Sequence, residues 1–433
     1  MDREFAAIAG FVVLFLLMFL RVPIGIAMGI VGVGGFAALK GWSAGFNLLV
    51  NSPWRTVTDY SLSVVPLFIL MGVFASASGM SRELFRVSKA WAGHRRGGLA
   101  ISTILACGGF AAINGSAVAT AATMTKVALP EMRRAGYEPA TAAGTIAIGG
   151  TLGIMIPPSV TMLIYALLTE QDVARLFMAG VIPGLLAIVI YVITIQILAA
   201  RNPELFPTTP REGYRERLVA MRDVWATLLL FLIVVVAMYG GIVTVTEAAA
   251  IGAVGALAIG VVRRRLNWEK IQACLVDALR TSASIFIIAV GAFLFSYFLT
   301  ITRTTQEITE FLVGLPIGPY GVLALLLFIY LILGAIMDEL AMIILTVPIV
   351  FPAMMALGFD PTWFGVIIVM TVTLGLICPP VGMNVFVINA MARDIGLFQI
   401  YRGVMPFIAA SIVLLIVLCI FPQLSLFLPN TMP

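Results

Sequence analysis

Charged residues are scarce in this sequence. Asp, Glu, Lys and Arg make up 11% of its 433 residues, whereas 61% are hydrophobic and the mean hydropathy is +1.09. A soluble domain carries about 25% charged residues, so we exclude a water-soluble globular protein. The hydrophobic runs are continuous over about 17–25 residues, as transmembrane helices require, and do not alternate as in a membrane β-barrel. The composition therefore predicts an all-α polytopic membrane protein.

Histidine and cysteine are also rare. The single histidine, His94, excludes a metal or catalytic site built on paired imidazoles. The four cysteines are far apart and form no CxxC pair, so we interpret them as small core residues. No GxxxxGK[ST] phosphate loop occurs, which excludes ATP hydrolysis of that kind. The net charge of +5 comes from basic residues between hydrophobic runs, an orientation signal that requires no nucleic acid.

An internal repeat organises the chain. Residues 352–380 align with residues 130–158 without a gap, and the shared core reads TLGIMIPP in the first copy and TLGLICPP in the second. Matching positions at this fixed offset predict a duplication. We assign residues 1–211 to the first repeat and residues 212–433 to the second.

Each half contains the same predicted series of helices. The spans of the first half are 5–20, 23–39, 61–80, 140–168 and 174–199. Those of the second half are 224–240, 243–262, 281–300, 362–392 and 404–428, which makes about ten in all. Residues 81–97 and 303–314 have one apolar face and predict interfacial arm helices that link a fixed part to a moving part. Passive amphipathic connectors explain these two segments equally well.

Two segments contain apolar stretches that are too short for ordinary transmembrane spans. Residues 98–130 and 319–352 each contain two apolar arms of about 15 residues, which reach less than the roughly 30 Å of a hydrocarbon core. The polar tips are Asn114-Gly115-Ser116 in the first segment and Met337-Asp338-Glu339 in the second. The pattern predicts two re-entrant hairpins, with pairs of ordinary spans as the alternative.

Basic residues give the orientation. They flank the first hairpin, at positions 82–96 and 133–134, whereas the flanks of the second hairpin are poor in base. Because basic residues mark the cytoplasmic side, the first hairpin is expected to open inward and the second outward. Five spans per half then place the halves in opposite senses. An inverted repeat with two opposed hairpins is a secondary-transporter architecture.

The proline pairs break two helices. Pro157 and Pro158 lack N–H groups, so the carbonyls of residues 153 and 154 lose their helical partners. Pro379–Pro380 does the same to residues 375 and 376. Free carbonyls in lipid cost several kcal/mol each and must face a cavity or an ion. With the hydroxyls of Thr151 and Thr373 close by, we predict a hard cation such as Na⁺ at each break; simple proline kinks are the alternative.

Carboxylates near apolar runs are few. Asp338 and Glu339 lie at the second hairpin tip, and one acid at the bilayer centre costs at least about 2.5–3.5 kcal/mol. We therefore predict Asp338 as an ion ligand or proton carrier and Glu339 as a brace or cap, unless the tip simply reaches water. Glu247 has capping-box spacing to Thr244, which favours a helix-start role over an intramembrane one.

At this point the sequence resembles a known family, the large membrane subunit (M, DctM type) of tripartite ATP-independent periplasmic (TRAP) transporters. The resemblance covers essentially the whole chain. It is carried by VPLFILMG (65–72), INGSAVAT (113–120), GGTLGIMIPPS (149–159), YGGIVTVTEAAAIGA (239–253), MDELAMI (337–343) and GLICPPVGMN (375–384).

The resemblance implies an elevator-type, Na⁺-driven fold in which a domain with both hairpins and both broken helices moves against a fixed scaffold. The implied Na⁺ ligands of the first half are Asn114, Gly115, Ser116, Gly150, Thr151, Gly153 and Pro157. Those of the second half are Asp338, Thr373, Gly375 and Cys378. Ser159, Thr161 and Asn384 follow the breaks and are weaker candidates for binding a substrate.

The resemblance also implies partners and a location. A periplasmic binding protein (P-type) would deliver a small organic acid, such as a dicarboxylate, sugar acid or keto acid. A small membrane subunit (Q-type) would brace the scaffold in a bacterial inner membrane, and Na⁺ would be the coupling ion with no other cofactor. Rival hypotheses are a proton-coupled transporter that uses Asp338 or Glu339, a channel and an intramembrane enzyme.

Overall fold

The computed structural model describes residues 3–432 of the chain, and helices are its only extended regular elements in that range. The first half contains α1 (Arg3–Phe19), α2 (Ile24–Lys40), α3 (Trp42–Val57), α4 (Val64–Ala77), α5 (Met80–Ala92), α6 (Gly98–Asn114), α7 (Ala117–Arg134), α8 (Pro139–Met155), α9 (Val160–Leu168) and α10 (Val173–Arg201). The second half contains α11 (Tyr214–Tyr239), α12 (Val245–Val262), α13 (Trp268–Thr302), α14 (Thr304–Val313), α15 (Gly318–Gly334), α16 (Glu339–Ala356), α17 (Pro361–Gly375), α18 (Met383–Met391), α19 (Leu397–Ile420) and α20 (Gln423–Asn430). Residues 1, 2 and 433, which the predicted halves include, lie outside the described range.

The predicted all-α polytopic fold is confirmed. Eight helical segments are long and apolar enough to cross a membrane, and α2, α6, α15 and α17 are shorter apolar helices. Helix α6 has 17 residues, a length of about 26 Å. It therefore stops short of a full crossing and turns back into α7.

The structure corrects several predicted boundaries. Helix α3 lies between two predicted spans and was missed because residues 42–57 mix apolar residues with asparagine, serine, arginine and an internal proline. Helix α13 runs over 35 residues and begins before the predicted span 281–300. The prediction missed its first turns because they are polar. The predicted span 404–428 is two helices, α19 and α20, separated near Phe421. Hydropathy locates apolar runs, whereas helices continue beyond them.

Helices α1–α4 and α11–α13 pack together in a group that we name the scaffold. Its closest contact joins α2 to α13 through glycine. A Cβ atom on Gly291 would lie 2.0 Å from the carbonyl oxygen of Gly25, and one on Gly32 would lie 2.5 Å from the backbone of Leu294. Small residues let membrane helices approach to backbone contact, where van der Waals packing replaces the missing hydrophobic effect.

We expect Gly291→Ala to destabilise the scaffold, because the added methyl group cannot avoid the Gly25 carbonyl without separating α2 from α13. Overpacking of this kind costs about 1–3 kcal/mol. The measurement is thermal unfolding in lipid nanodiscs, with Gly34→Ala as the matched control, since a Cβ on Gly34 meets nothing within 4 Å. Equal melting temperatures for the two variants would contradict this packing.

Helices α6–α10 and α15–α19 form a second group that we name the hairpin bundle. It holds both hairpins, α6–α7 and α15–α16, and both broken helices, α8–α9 and α17–α18. Helices α5 and α14 occupy the predicted arm segments: α5 packs against α6 and α11, and α14 packs against α16 and α13. Each arm therefore touches both the scaffold and the hairpin bundle.

Ion pairs hold the arm α5 on both sides. The carboxylate of Glu83 accepts from Arg263 at 2.6 Å and pairs with Arg265 at 2.7 Å, both at the end of the scaffold helix α12. Farther along α5, Lys89 donates to Glu131 on the hairpin helix α7 at 2.7 Å. The arm is thus tied to the scaffold at one end and to the hairpin bundle at the other.

Candidate functional site

Both hairpin tips are built as helix caps. At the first tip, Gly115 adopts a left-handed conformation (φ +67°) that ends α6. Ser116 then starts α7, and its Oγ accepts from the N–H of Ala119 at 3.4 Å. At the second tip, the carboxylate of Asp338 accepts from the N–H groups of Leu340 and Ala341, at 3.2 and 3.5 Å. Ser116 and Asp338 thus both cap the following helix, and they occupy equivalent positions of the repeat.

The first tip lies within the first helix break. The N–H of Val160 donates to the Gly115 carbonyl at 3.3 Å, and a Cβ on Gly115 would lie 2.7 Å from the Pro158 carbonyl oxygen. On the other side of the break, a Cβ on Gly153 would lie 2.4 Å from the Ser116 carbonyl oxygen. The broken helix α8–α9 therefore contacts the tip from both of its halves.

Oxygen atoms without helical partners collect at this point. In the described chain, no hydrogen bond reaches the carbonyls of Gly153 or Ile154, as the proline pair predicts. The hydroxyl of Thr151 donates to the Ile148 carbonyl at 2.6 Å and lies close to the phenol of Tyr191 on α10. Asn114 donates to the hydroxyl of the buried Thr120 at 3.2 Å, a neighbour that the sequence did not single out.

Helix α8 also packs closely against α7 at a second glycine, Gly150. A Cβ there would lie 2.8 Å from Ala121 and 3.0 Å from the side-chain nitrogen of Asn384. The structure thus brings the predicted residues 114–116 and 150–158 of the first half into one buried region.

The second break is satisfied differently. The carbonyl of Leu376 accepts from the N–H of Asn384 at 3.1 Å, and that of Gly375 accepts from Cys378 at 3.3 Å. These two carbonyls are therefore not free, and that prediction was wrong. The reason is that Gly382, in a left-handed conformation (φ +55°), turns the chain back toward α17.

A tyrosine hydroxyl forms hydrogen bonds with the next carbonyls along the chain. The hydroxyl of Tyr401, on α19, shares its one proton between the carbonyls of Pro380 and Val381, at 2.9 and 2.6 Å. No sequence signal marked Tyr401, since it lies 20 residues beyond the break. The second break therefore has an internal donor.

The second tip also lies against its own break. The N–H of Val381 donates to the Ala335 carbonyl at 3.1 Å, which repeats the Val160–Gly115 contact, and a Cβ on Gly375 would lie 2.6 Å from Gly334. Thr373 donates to the Met370 carbonyl at 2.6 Å, as Thr151 does to Ile148.

The predicted Na⁺ ligands of the second half are less tightly assembled than those of the first. No hydrogen bond joins Asp338 to Thr373 or Cys378 within residues 3–432, because the Asp338 carboxylate caps α16. Glu339 is buried, and its Oε2 has no hydrogen-bond partner among the described groups. Asp338, not Glu339, is therefore the cap at this tip, although the sequence favoured the reverse.

The three predicted substrate residues are all buried, but they differ in their hydrogen bonding. Ser159 caps α9 by accepting from the Met162 N–H at 3.3 Å. Thr161 has an Oγ1 without a partner in the described structure, and Asn384 has an Oδ1 in the same condition. Buried polar atoms are almost always satisfied, so Thr161 and Asn384 point to a group that completes their hydrogen bonds.

The two halves cross over after the breaks. Helix α9 of the first half packs against the hairpin helix α16 of the second, and α18 packs against the hairpin helix α7 of the first. Asn384, on α18, donates to the Ala147 carbonyl of α8 at 3.2 Å. Each break therefore contacts its own tip and the opposite hairpin, which brings the two sites to the centre of one bundle.

Two adjoining cavities lead from the first tip to the end of the molecule where basic residues cluster, which we name the basic end. The inner cavity, of about 840 Å³, reaches Asn114. The outer cavity, of about 740 Å³, opens among α5, α11 and the start of α13. Both are lined by Ser76, Ala77 and Thr123, so they form one path.

A family model described as "Tripartite ATP-independent periplasmic transporter, DctM component" matches residues 11–424. The chain belongs to the DctM family. A protein of Pseudomonas aeruginosa named C4-dicarboxylate TRAP transporter large permease protein DctM is 37% identical over 401 residues, covering 90% of this chain and 93% of the relative. This DctM chain is thus related to a large permease subunit over nearly its full length, and its family is one of transporters.

Other relatives differ in named substrate. An isethionate TRAP transporter permease protein DctMQ of Oleidesulfovibrio alaskensis is 32% identical, covering 96% of this chain and 65% of the relative. A structure titled as the Alcanivorax borkumensis YdaH transporter matches with a TM-score of 0.66, 14% identity and coverage of 89% of this chain and 90% of that one. The last likeness shows that the DctM chain shares the fold of a solved transporter.

Proposed function

We propose that this protein is the translocation subunit of a Na⁺-coupled importer of a small organic acid. The observation that carries the proposal is the first break, where the carbonyls of Gly153 and Ile154 have no hydrogen-bond partner in the described chain and the tip residues Gly115 and Ser116 lie against the break. Carbonyl, hydroxyl and amide oxygens suit a hard cation. A bound Na⁺ would satisfy carbonyls that are otherwise costly inside a membrane.

A four-carbon dicarboxylate is the first substrate to test. The Pseudomonas aeruginosa relative is named for C4-dicarboxylate, and others carry the names of isethionate and ectoine. A small organic acid would bind between the two breaks, where Thr161 Oγ1 and Asn384 Oδ1 have no hydrogen-bond partner among the described residues. Positive charge from bound Na⁺ would offset the charge of the acid.

The proposed mechanism is an elevator movement of the hairpin bundle against the scaffold. The arms α5 and α14 touch both groups and suit this role. Coupling requires that Na⁺ bind more tightly to the state that also binds the acid, since a ligand shifts an equilibrium only by its differential affinity. Ordering of the first tip against the first break would provide that difference.

We further propose a bacterial inner-membrane complex with a P-type binding protein and a Q-type small subunit. The relative named DctMQ, of which this chain covers 65%, supports a Q-type partner. The P-type protein would deliver the acid to the side opposite the basic end.

The test is uptake of radiolabelled succinate into proteoliposomes that contain all three components. We expect uptake to require an inward Na⁺ gradient and to fall at least about tenfold when choline replaces Na⁺ at fixed pH. A thermal-shift screen of the binding protein against organic acids identifies the substrate first, in case succinate is not bound. Uptake that proceeds equally well in choline contradicts Na⁺ coupling.

Proton coupling is the second candidate, favoured by the buried Glu339, whose Oε2 has no hydrogen-bond partner within residues 3–432. A carboxylic acid there could carry a proton beside Asp338. In that case a pH gradient alone would drive uptake in choline, and Glu339→Gln would abolish it.

A further inference from the structure

One face of α7 lines the path from the first tip to the basic end. Ala119, Ala122 and Thr123 line the inner cavity, and Thr123, Lys126 and Val127 line the outer one. These positions recur every three to four residues, so they form one helical stripe. Small residues stand near the tip, and Lys126 follows about 13 Å from the start of the helix.

The outer cavity is strongly basic. Six basic side chains line it, namely Arg82, Arg86, Lys126, Arg264, Arg265 and Lys270. Its two acids are already engaged: Glu83 pairs with Arg265 and Asp223 with Arg86. Lys126 is exposed and forms no ion pair within residues 3–432. Positive charge in a cleft with protein walls raises the local concentration of anions.

Lys126 differs from the other cations by its position in the fold. Among the basic residues that line the outer cavity in the described chain, it alone belongs to the hairpin bundle; the others lie on the arm α5 or on the scaffold side. It would therefore keep its distance from the first tip when the bundle moves.

The inner cavity carries negative charge that such a cation would offset. Glu269 and Asp277 of α13 line it, and Arg280 is the one basic residue that lines it in the described part of the chain. An anion in this cavity therefore lies near these carboxylates, and the α7 stripe with Lys126 lines the cavity as well.

We propose that the α7 stripe is the wall of a release path for the organic anion and that Lys126 is a transient carboxylate- or sulfonate-binding residue on it. The inference rests on the proposed function for the identity of the anion, but the electric potential that it requires belongs to the cavity itself. The negative group would pair with the Lys126 ammonium after leaving the tip and then exchange to the cations of the basic end.

The test measures that potential without Na⁺ or substrate. Ala122→Cys places a thiol one helical turn from Lys126, in a background where Cys274, which also lines the inner cavity, is replaced by alanine. The full complex in nanodiscs is labelled with the anionic reagent sulfonatoethyl methanethiosulfonate and the cationic reagent trimethylammonioethyl methanethiosulfonate. Labelling of the same background without the new cysteine is subtracted.

We expect Lys126→Met to lower the ratio of anionic to cationic labelling rates about tenfold, which is about threefold for each reagent with one charge near 6 Å. Lys126→Arg should keep the ratio, and Lys40→Met, which removes a cation outside both cavities, should not change it. An unchanged ratio in Lys126→Met overturns the proposal, as does an equal fall in Lys40→Met.

Two further readouts separate the possible failures. If Lys126→Met does not fold, Lys126→Gln, which removes the charge but keeps a polar side chain, takes its place, and an unchanged ratio in that variant also overturns the proposal. Failure of Na⁺-dependent succinate uptake would instead refute the proposed function, because the labelling ratio does not depend on it.

Discussion

A transporter that carries Gly153→Ala is expected to need far more Na⁺ for uptake. The new methyl group would lie 2.4 Å from the Ser116 carbonyl oxygen and 2.9 Å from the Thr120 hydroxyl. The carbonyl belongs to the backbone of the first tip, so the tip must move away from the break. That movement separates the oxygens that we propose as ligands.

The size of the effect follows from overpacking. A strain of about 1–3 kcal/mol that acts on the ion-bound state corresponds to roughly a 5- to 150-fold rise in the Na⁺ concentration for half-maximal uptake. The measurement is succinate uptake against Na⁺ concentration in the three-component proteoliposomes. Gly34→Ala makes the same chemical change in open space and is expected to behave as the original protein.

Two outcomes would be informative against this interpretation. If Gly153→Ala and Gly34→Ala show the same Na⁺ dependence, the contact between tip and break does not form the ion site. If Gly153→Ala lowers the melting temperature without changing the Na⁺ requirement, Gly153 serves packing alone.

The second large effect is expected at Asp338, where capping and charge can be separated. Asp338→Ala removes both, and we expect succinate uptake to fall below about 1% together with a loss of about 1 kcal/mol of stability from the missing cap. Asp338→Ser removes the charge but keeps a good capping residue. Serine is also what the first tip has at the equivalent position, Ser116.

We therefore expect Asp338→Ser to melt like the original protein and still to lose Na⁺-dependent uptake. The matched control is Asp360→Ser, because Asp360 caps α17 in the same way, accepting from the N–H groups of Thr362 and Trp363 at 2.9 Å. Uptake by Asp338→Ser at the original rate would show that the carboxylate is a cap and nothing more.

The sequence predicted the parts of this site that depend on local chemistry. Proline pairs identify the breaks, polar residues between short apolar arms identify the tips, and the repeat links them. The contacts Val160–Gly115 and Val381–Ala335 bring each tip to its own break.

What the sequence could not provide depends on packing between distant segments. Tyr401 reaches the second break from another helix, and Asn384 satisfies the Leu376 carbonyl that the prolines were predicted to leave free. Hydropathy describes composition along the chain, so it could not predict that α9 and α18 pack against the hairpins of the opposite halves. Helix α3 was missed for a local reason, since polar residues and a proline interrupt its apolar residues.

Tyr401 also affects the transporter in the state that holds neither ion nor acid. In the proposed cycle the hairpin bundle must travel back with neither ion nor acid, and a carbonyl that only a cation satisfies would then be left bare at a cost of several kcal/mol. The Tyr401 hydroxyl shares its proton between the carbonyls of Pro380 and Val381 without any ligand, so the second break keeps a donor on the return journey. The carbonyls of Gly153 and Ile154 have no such donor in the described chain, so the first break determines how costly an unloaded crossing is.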